Sequence, residues 1–185
     1  PLVNNKIPDW NETIGNAWTQ RSTNPSPLPG NGASYFYGGH KSVAELSQIV
    51  NISLDSTAID SGSKSYYLRA FVSSSGQNSD ESNIYLYFND SGGNVLTLYI
   101  LGPYINPNWL KIDTVLVAPI GAREIDLRLH SVRHSGNSND GYYDELYLGG
   151  TPYQSATLPI ANIQSSDTNF CEKQCIDFFD LSQNN

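Results

Sequence analysis

The chain of 185 residues carries 18 acidic against 10 basic side chains, a net charge of −8, with 38% hydrophobic residues and 12 tyrosines. That balance argues against nucleic acid and anionic membranes, whose phosphates would be repelled, and no apolar run approaches the roughly 20 residues of a membrane-spanning helix. The length suffices for one domain with a real core plus an appendage, and abundant aromatics suit pleated surfaces.

The chain opens at Pro1 without an initiator Met or a signal-like segment, as a mature, processed product or a trimmed chain would. Residues 1 to 33 hold Trp10 and Trp18 and then Pro25, Pro27 and Pro29. Prolines deny regular hydrogen bonding, so this stretch reads as an ordered wrap or a loop, with the tryptophans as core plugs or a ligand platform. From Ala33 strand signals come regularly. Tyr35-Phe36-Tyr37 stops at Gly38-Gly39, Val43 to Leu54 is longer, and Asp60-Ser61-Gly62 marks a turn. Tyr66 to Ser73 alternates, with Tyr66, Leu68, Ala70 and Val72 on one face. Asn83 to Phe88 and Val95 to Leu101 flank the hairpin turn Asp90-Ser91-Gly92-Gly93. Lys111 to Val117 and Glu124 to Arg133 follow; in the latter Ile125, Leu127 and Leu129 oppose Asp126, Arg128 and His130.

A loop of Ser, Gly, Asn and Asp then leads to a strand over Tyr142 to Leu148. If Leu146 and Leu148 face a core, period-2 alternation puts Tyr142 and Asp144 on the same inward face. A carboxylate there needs a partner, either backbone amides or a cation, and calcium with its oxygen ligands is the natural cation. The whole reads as an all-β, antiparallel jelly-roll β-sandwich over residues 1–150. Residues 151–185 form a C-terminal extension, in which Asn169 and Glu172 propose a helix start and a short helix presenting Phe178 and Phe179. Such a helix docks on its own body or on another subunit, making a homo- or hetero-dimer. Cys171 and Cys175, about 6 Å apart at Cα if helical, form a local disulfide or pair with a partner chain. Asn11, Asn51 and Asn89 begin Asn-x-Ser/Thr triplets, open to glycosylation in a secreted protein.

The run Ser34-Tyr35-Phe36-Tyr37-Gly38-Gly39 with Ala44-Glu45-Leu46-Ser47-Gln48-Ile49-Val50-Asn51-Ile52, closed by Asn139-Asp140-Gly141-Tyr142-Tyr143-Asp144-Glu145-Leu146-Tyr147-Leu148, resembles the galactose-binding-domain-like jelly rolls. That superfamily includes carbohydrate-binding modules and lectin domains. The resemblance covers residues 1 to 150. It implies a structural calcium held by a carboxylate on the last strand, where Asp144 stands, and by groups near the N-terminus, for which Asn5 and Asp9 are candidates; the Asn-Gly-x-Phe-Glu pattern usual there is replaced by Val3-Asn4-Asn5-Lys6-Ile7-Pro8.

A sugar site needs aromatic planes for the ring faces and planar polar groups for the hydroxyls. Tyr35, Tyr37, Tyr104, Trp109, His130, Arg133, His134, Asn137 and Asn139 supply both kinds. Arg133 grips a ligand or pairs with Asp126 or Asp140. A glycosidase needs two opposed carboxylates, whereas a sandwich of this size offers acids chiefly in turns, and nucleophile-elbow and phosphate-loop patterns are missing, so a non-enzymatic role is expected. Two roles compete: an extracellular, lectin-like carbohydrate-binding protein, and an oligomeric carrier of an apolar small molecule such as a pigment.

Overall fold

The computed structural model describes residues 7–21, 34–74, 79–150, 163–165 and 178–180. The chain divides into two compact units, Pro1–Thr151 and Pro152–Asn185. In the first, ten strands make two antiparallel five-stranded sheets. The first sheet runs in the order β1 (Asn11–Ile14), β4 (Val43–Asn51), β9 (Glu124–Val132), β6 (Glu81–Asn89) and β7 (Val95–Tyr104). The second runs β2 (Thr19–Arg21), β3 (Tyr35–Tyr37), β10 (Gly141–Gly150), β5 (Ser65–Ser74) and β8 (Leu110–Val117). This is the jelly-roll sandwich that the alternating sequence predicts.

Alternation decides what is inside. Leu46, Ile84, Leu86, Phe88, Ile125, Leu127 and Leu129 from the first sheet meet Tyr66, Leu68, Ala70, Val72, Ile112 and Leu116 from the second, all buried in one cluster. Each large aliphatic group so enclosed contributes roughly 1.5–3 kcal/mol. Tyr143 of β10 crosses this core: its hydroxyl donates to the His130 carbonyl at 2.7 Å and accepts the Asn83 N–H at 3.0 Å. The side chain thus ties the second sheet to the backbones of β9 and β6, directly beneath the outer face described below. Burial raises its hydroxyl pKa.

Several local expectations change. The strand opening at Val43 ends at Asn51, and a 3₁₀ turn (Ser53–Asp55) and a short helix α1 (Ser56–Asp60) follow where only a turn was expected. The N-terminal stretch of residues 1 to 33 also contributes the edge strands β1 and β2. On β10 a β-bulge between Asp144 and Tyr147, with Glu145 at φ 48°, breaks the period of two. Consequently Tyr143, Leu146 and Leu148 pack on the core, and Tyr142 and Asp144 lie on the opposite, outer face of the sheet rather than inward.

In the second unit, β11 (Ile163–Ser165) pairs antiparallel with β12 (Phe178–Asp180). Phe178 and Phe179, expected on a helix, therefore sit in a strand; the interstrand pairing outweighs local helix signals. The remainder of that expected helix, with Cys171 and Cys175, lies outside the described residues.

Candidate functional site

The outer face of the first sheet concentrates charge. Glu45 on β4 and Asp126 and Arg128 on β9 project to it, because the residues between them belong to the core. Arg128 Nη1 donates to Glu45 Oε1 at 3.0 Å, while its Nε and Nη2 donate to Asp126 Oδ2 at 2.8 and 2.6 Å. Ser47 Oγ caps Asp126 Oδ1 at 2.6 Å, and Thr13 Oγ1, from β1, caps Glu45 Oε1 at 2.7 Å. His130 Nδ1 lies 3.0 Å from Glu45 Oε2. Both carboxylates are nearly enclosed, with side-chain exposures of 5% and 9%. Burial pushes the Glu45 pKa up, but the hydrogen bonds of His130 and Thr13 and the charge of Arg128 outweigh it and leave the carboxyl at about 2.

Two tyrosines of β6 complete this face. Tyr85 stacks on the His130 ring at 4.9 Å between centroids, and the Arg128 guanidinium lies 4.5 Å from the centre of Tyr87. Both are half-buried. Their register against β9 is fixed by the pairs Tyr85↔Arg128 and Tyr87↔Asp126. The result is a pre-organised surface of ring planes beside a guanidinium held in place by two carboxylates. Of the residues singled out from sequence, His130 alone stands here. Tyr85, Tyr87 and Glu45 were missed, although the same alternation that turns Asp126, Arg128 and His130 outward also turns every second residue of Asn83 to Phe88 outward.

The other expected ligand residues divide between two places. Tyr35 and Tyr37 lie on the outer face of the second sheet with Tyr142, and each of the three is no more than 3% exposed. Tyr142 contacts both at 5.4 and 5.9 Å, Trp109 stands edge-on to Tyr35 at 5.6 Å, and Arg21 lies 3.6 Å over Tyr37. These tyrosines form a small second core where an open aromatic shelf was expected. Burial, and the 2.7 Å bond from its hydroxyl to Asp140, raise the pKa of Tyr142. Tyr104 is half-buried and packs against the main core.

At the end of the sandwich, Asn139 is fully buried. Its amide donates to the Ser131 carbonyl at 3.1 Å, its side-chain oxygen accepts from the Ser131 hydroxyl, and its backbone N–H reaches the Gly39 carbonyl at 2.8 Å. It is a strut, and the expectation of a sugar-facing amide is corrected accordingly. Gly141 is required beside it, since a Cβ there would collide with Ser131. Arg133 Nη1 donates to the carbonyls of His40 (2.8 Å) and Asn137 (3.1 Å) and closes the loop. His134 is exposed, with Nε2 2.8 Å from Glu81 Oε1.

Asp144 is buried and accepts the Glu145 N–H at 2.9 Å. It lines a cleft of about 250 Å³ with Ile7, Pro8, Gln20, Ser34, Tyr35 and Phe36. Asp9 is exposed, in a left-handed conformation at φ 64°, and Asn5 lies outside the described residues. Among the described residues no group of three acidic, His or Cys side chains is placed to hold a metal ion. Of the three Asn-x-Ser/Thr asparagines, Asn11 and Asn51 are exposed, whereas Asn89 is half-buried with its side-chain oxygen enclosed.

No protein-family model matches the chain, and no curated protein does. Solved structures do match. The enzymatically active domain of tailspike protein 4 of bacteriophage CBA120 superposes with a TM-score of 0.54 at 15% identity over 80% of this chain, which spans 20% of that protein's length. A family 61 carbohydrate-binding module, solved with β-1,4-galactotriose, gives 0.51 at 17% identity over 79% of this chain and 91% of its own. A family 16 carbohydrate-binding module gives 0.50 at 19% identity over 65% and 79%. Likeness at these identities speaks of architecture alone: the chain has a jelly-roll β-sandwich fold, and it superposes on these solved structures.

Proposed function

We propose that this protein is an extracellular, non-catalytic, lectin-like carbohydrate-binding protein whose ligand lies on the outer face of the first sheet, across Tyr85 and Tyr87. One observation carries the reading: two half-open tyrosine planes flank Arg128, whose orientation is set by buried Glu45 and Asp126 before any ligand arrives. Ring planes suit the apolar sides of pyranoses, and a fixed guanidinium suits vicinal hydroxyls. A glycan array followed by titration calorimetry tests it. Tyr87→Ala and Arg128→Lys are expected to weaken the best glycan by about tenfold or more, the effect of losing one well-placed contact. Retention of no glycan, or equal retention by both variants, overturns it.

A structural calcium belongs to the same proposal. Its support is the cleft that Asp144 of β10 lines together with Ile7 and Pro8, next in sequence to Asp9. Chelator is expected to lower the melting temperature, and Asp144→Asn to abolish that dependence.

A second reading, a carrier of an apolar small molecule such as a pigment, is favoured by a different feature. A groove of about 360 Å³ opens between the sheets, lined by Trp10, Phe36, Val50, Leu127, Leu146 and Leu148, with Gln48 and Tyr147 also in its wall. Its volume falls in the range of small-molecule sites. An absorption spectrum and native mass of protein from its source distinguish the two: a bound chromophore or excess mass supports the carrier.

A further inference from the structure

The four sheet edges of the sandwich are unequal. At one end of the first sheet β1 has four residues, includes Glu12 and is bulged. The second sheet ends in β2, three residues long, and in β8, which carries Lys111 and Asp113. Short length, bulges and charges are the devices by which an open edge avoids pairing with another chain. The fourth edge, β7, lacks the short length and the charges; its ladder with β6 is irregular near both ends and regular over residues 97–101. The strand is ten residues long, reads Val-Leu-Thr-Leu-Tyr-Ile-Leu-Gly-Pro-Tyr, has its one proline near the end, and contains no charge in a chain of net −8.

Its apolar side chains are open to solvent. Val95, Leu96, Leu98 and Ile100 are 56, 41, 40 and 60% exposed. Among the described residues β7 pairs only with β6, leaving its other side of N–H and C=O groups without a ladder.

We propose that β7 is a self-association edge, and that its occupant is β7 of a second copy of this chain, added antiparallel to make one continuous ten-stranded sheet. The argument for a second copy is charge and symmetry. Two chains of net −8 repel wherever their acidic surfaces meet, and the charge-free β7 is a place where like copies approach without that cost. An antiparallel pair of identical strands is related by a two-fold axis perpendicular to the sheet, so it closes at two copies and forms no fibre. The same axis puts both outer faces of the first sheet on one side. Leu98 and Ile100 stand opposite Tyr87 and Tyr85 in register, so the two proposed glycan faces would become neighbours, a consequence that rests on the functional reading above. Paired sites bind a multivalent surface more tightly than either alone.

Light-scattering mass and amide exchange over a concentration series test the pairing without any glycan, so its failure is separable from failure of the carbohydrate reading. The expected results are a dimer that dissociates on dilution and amide exchange along residues 95–101 that slows as concentration rises. Leu98→Lys, which sets like charges against each other at the edge, is expected to raise the dissociation constant by about tenfold or more. A particle that stays monomeric, exchange that ignores concentration, or a dimer that Leu98→Lys leaves intact overturns the proposal; the last would place the contact elsewhere. Exchange is read on the unaltered protein, so the test survives a variant that fails to fold.

Discussion

The two outer faces of the sandwich both carry tyrosines, on two neighbouring strands in the second sheet and on one strand in the first, yet they have opposite fates. On the second sheet Tyr35, Tyr37 and Tyr142 close on one another and on Trp109 and Arg21, and water is excluded. On the first, Tyr85 and Tyr87 are separated from further rings by a row of charges, and they stay half-open against His130 and Arg128. Aromatic content does not by itself distinguish a platform from a core. Three rings that converge from adjacent strands bury each other even with Arg21 over one of them, whereas Tyr85 and Tyr87, successive outward positions of a single strand, meet His130 and Arg128 and keep an accessible plane.

The largest expected effect is on the closed face. Tyr37→Ala should cost about 3–5 kcal/mol in chemical denaturation, as removal of a buried aromatic does, with no loss of glycan affinity; a cost below about 1 kcal/mol would mean that the cluster is not a core. On the open face, Arg128→Ala strands two enclosed carboxylates and should cost about 3 kcal/mol, together with glycan affinity. If stability fell and affinity did not, the network would be purely structural.

Acid sharpens the contrast further. The Glu45 pKa is lowered from 4.5 to about 2. A group whose folded value is depressed contributes stability that is complete above its unfolded value and is lost as pH falls through the folded one. Between about pH 4.5 and 2 the open face should therefore lose on the order of 2 kcal/mol, after allowance for solvent screening. In Glu45→Gln that portion of the acid dependence should vanish, whereas in Tyr142→Phe, on the closed face, it should persist. The smallest effect concerns the bulge that sends Tyr142 outward. Glu145 holds a left-handed backbone at φ 48°, and Glu145→Gly should raise stability by about 1 kcal/mol. No gain would show that the Glu145 side chain makes compensating contacts.

Much of the sandwich was legible without coordinates. The periods of Tyr66 to Ser73 and Glu124 to Arg133 assigned their inward residues correctly, since one buried face fixes the phase of every other residue. The site was less legible. Asn139 and Arg133 have the composition of sugar contacts and serve as a strut and a loop closure, because Ser131, His40 and Asn137, distant or unremarkable in sequence, arrive beside them. The phase of β10, carried back from Leu146 and Leu148, fails at Asp144 and Tyr142, since a bulge adds one residue without altering composition.

The order of apolar and polar residues along the chain thus determined the fold class, the strands of the body and the two faces of most of them, because those follow from local period and the need to bury one face. Which outer face closed and which stayed open was decided only by the tertiary structure. Strand order brings β3 beside β10 and β4 beside β9 across stretches of about a hundred residues or fewer, and it is that adjacency that gave Tyr35 and Tyr37 a third tyrosine and gave Arg128 its second carboxylate.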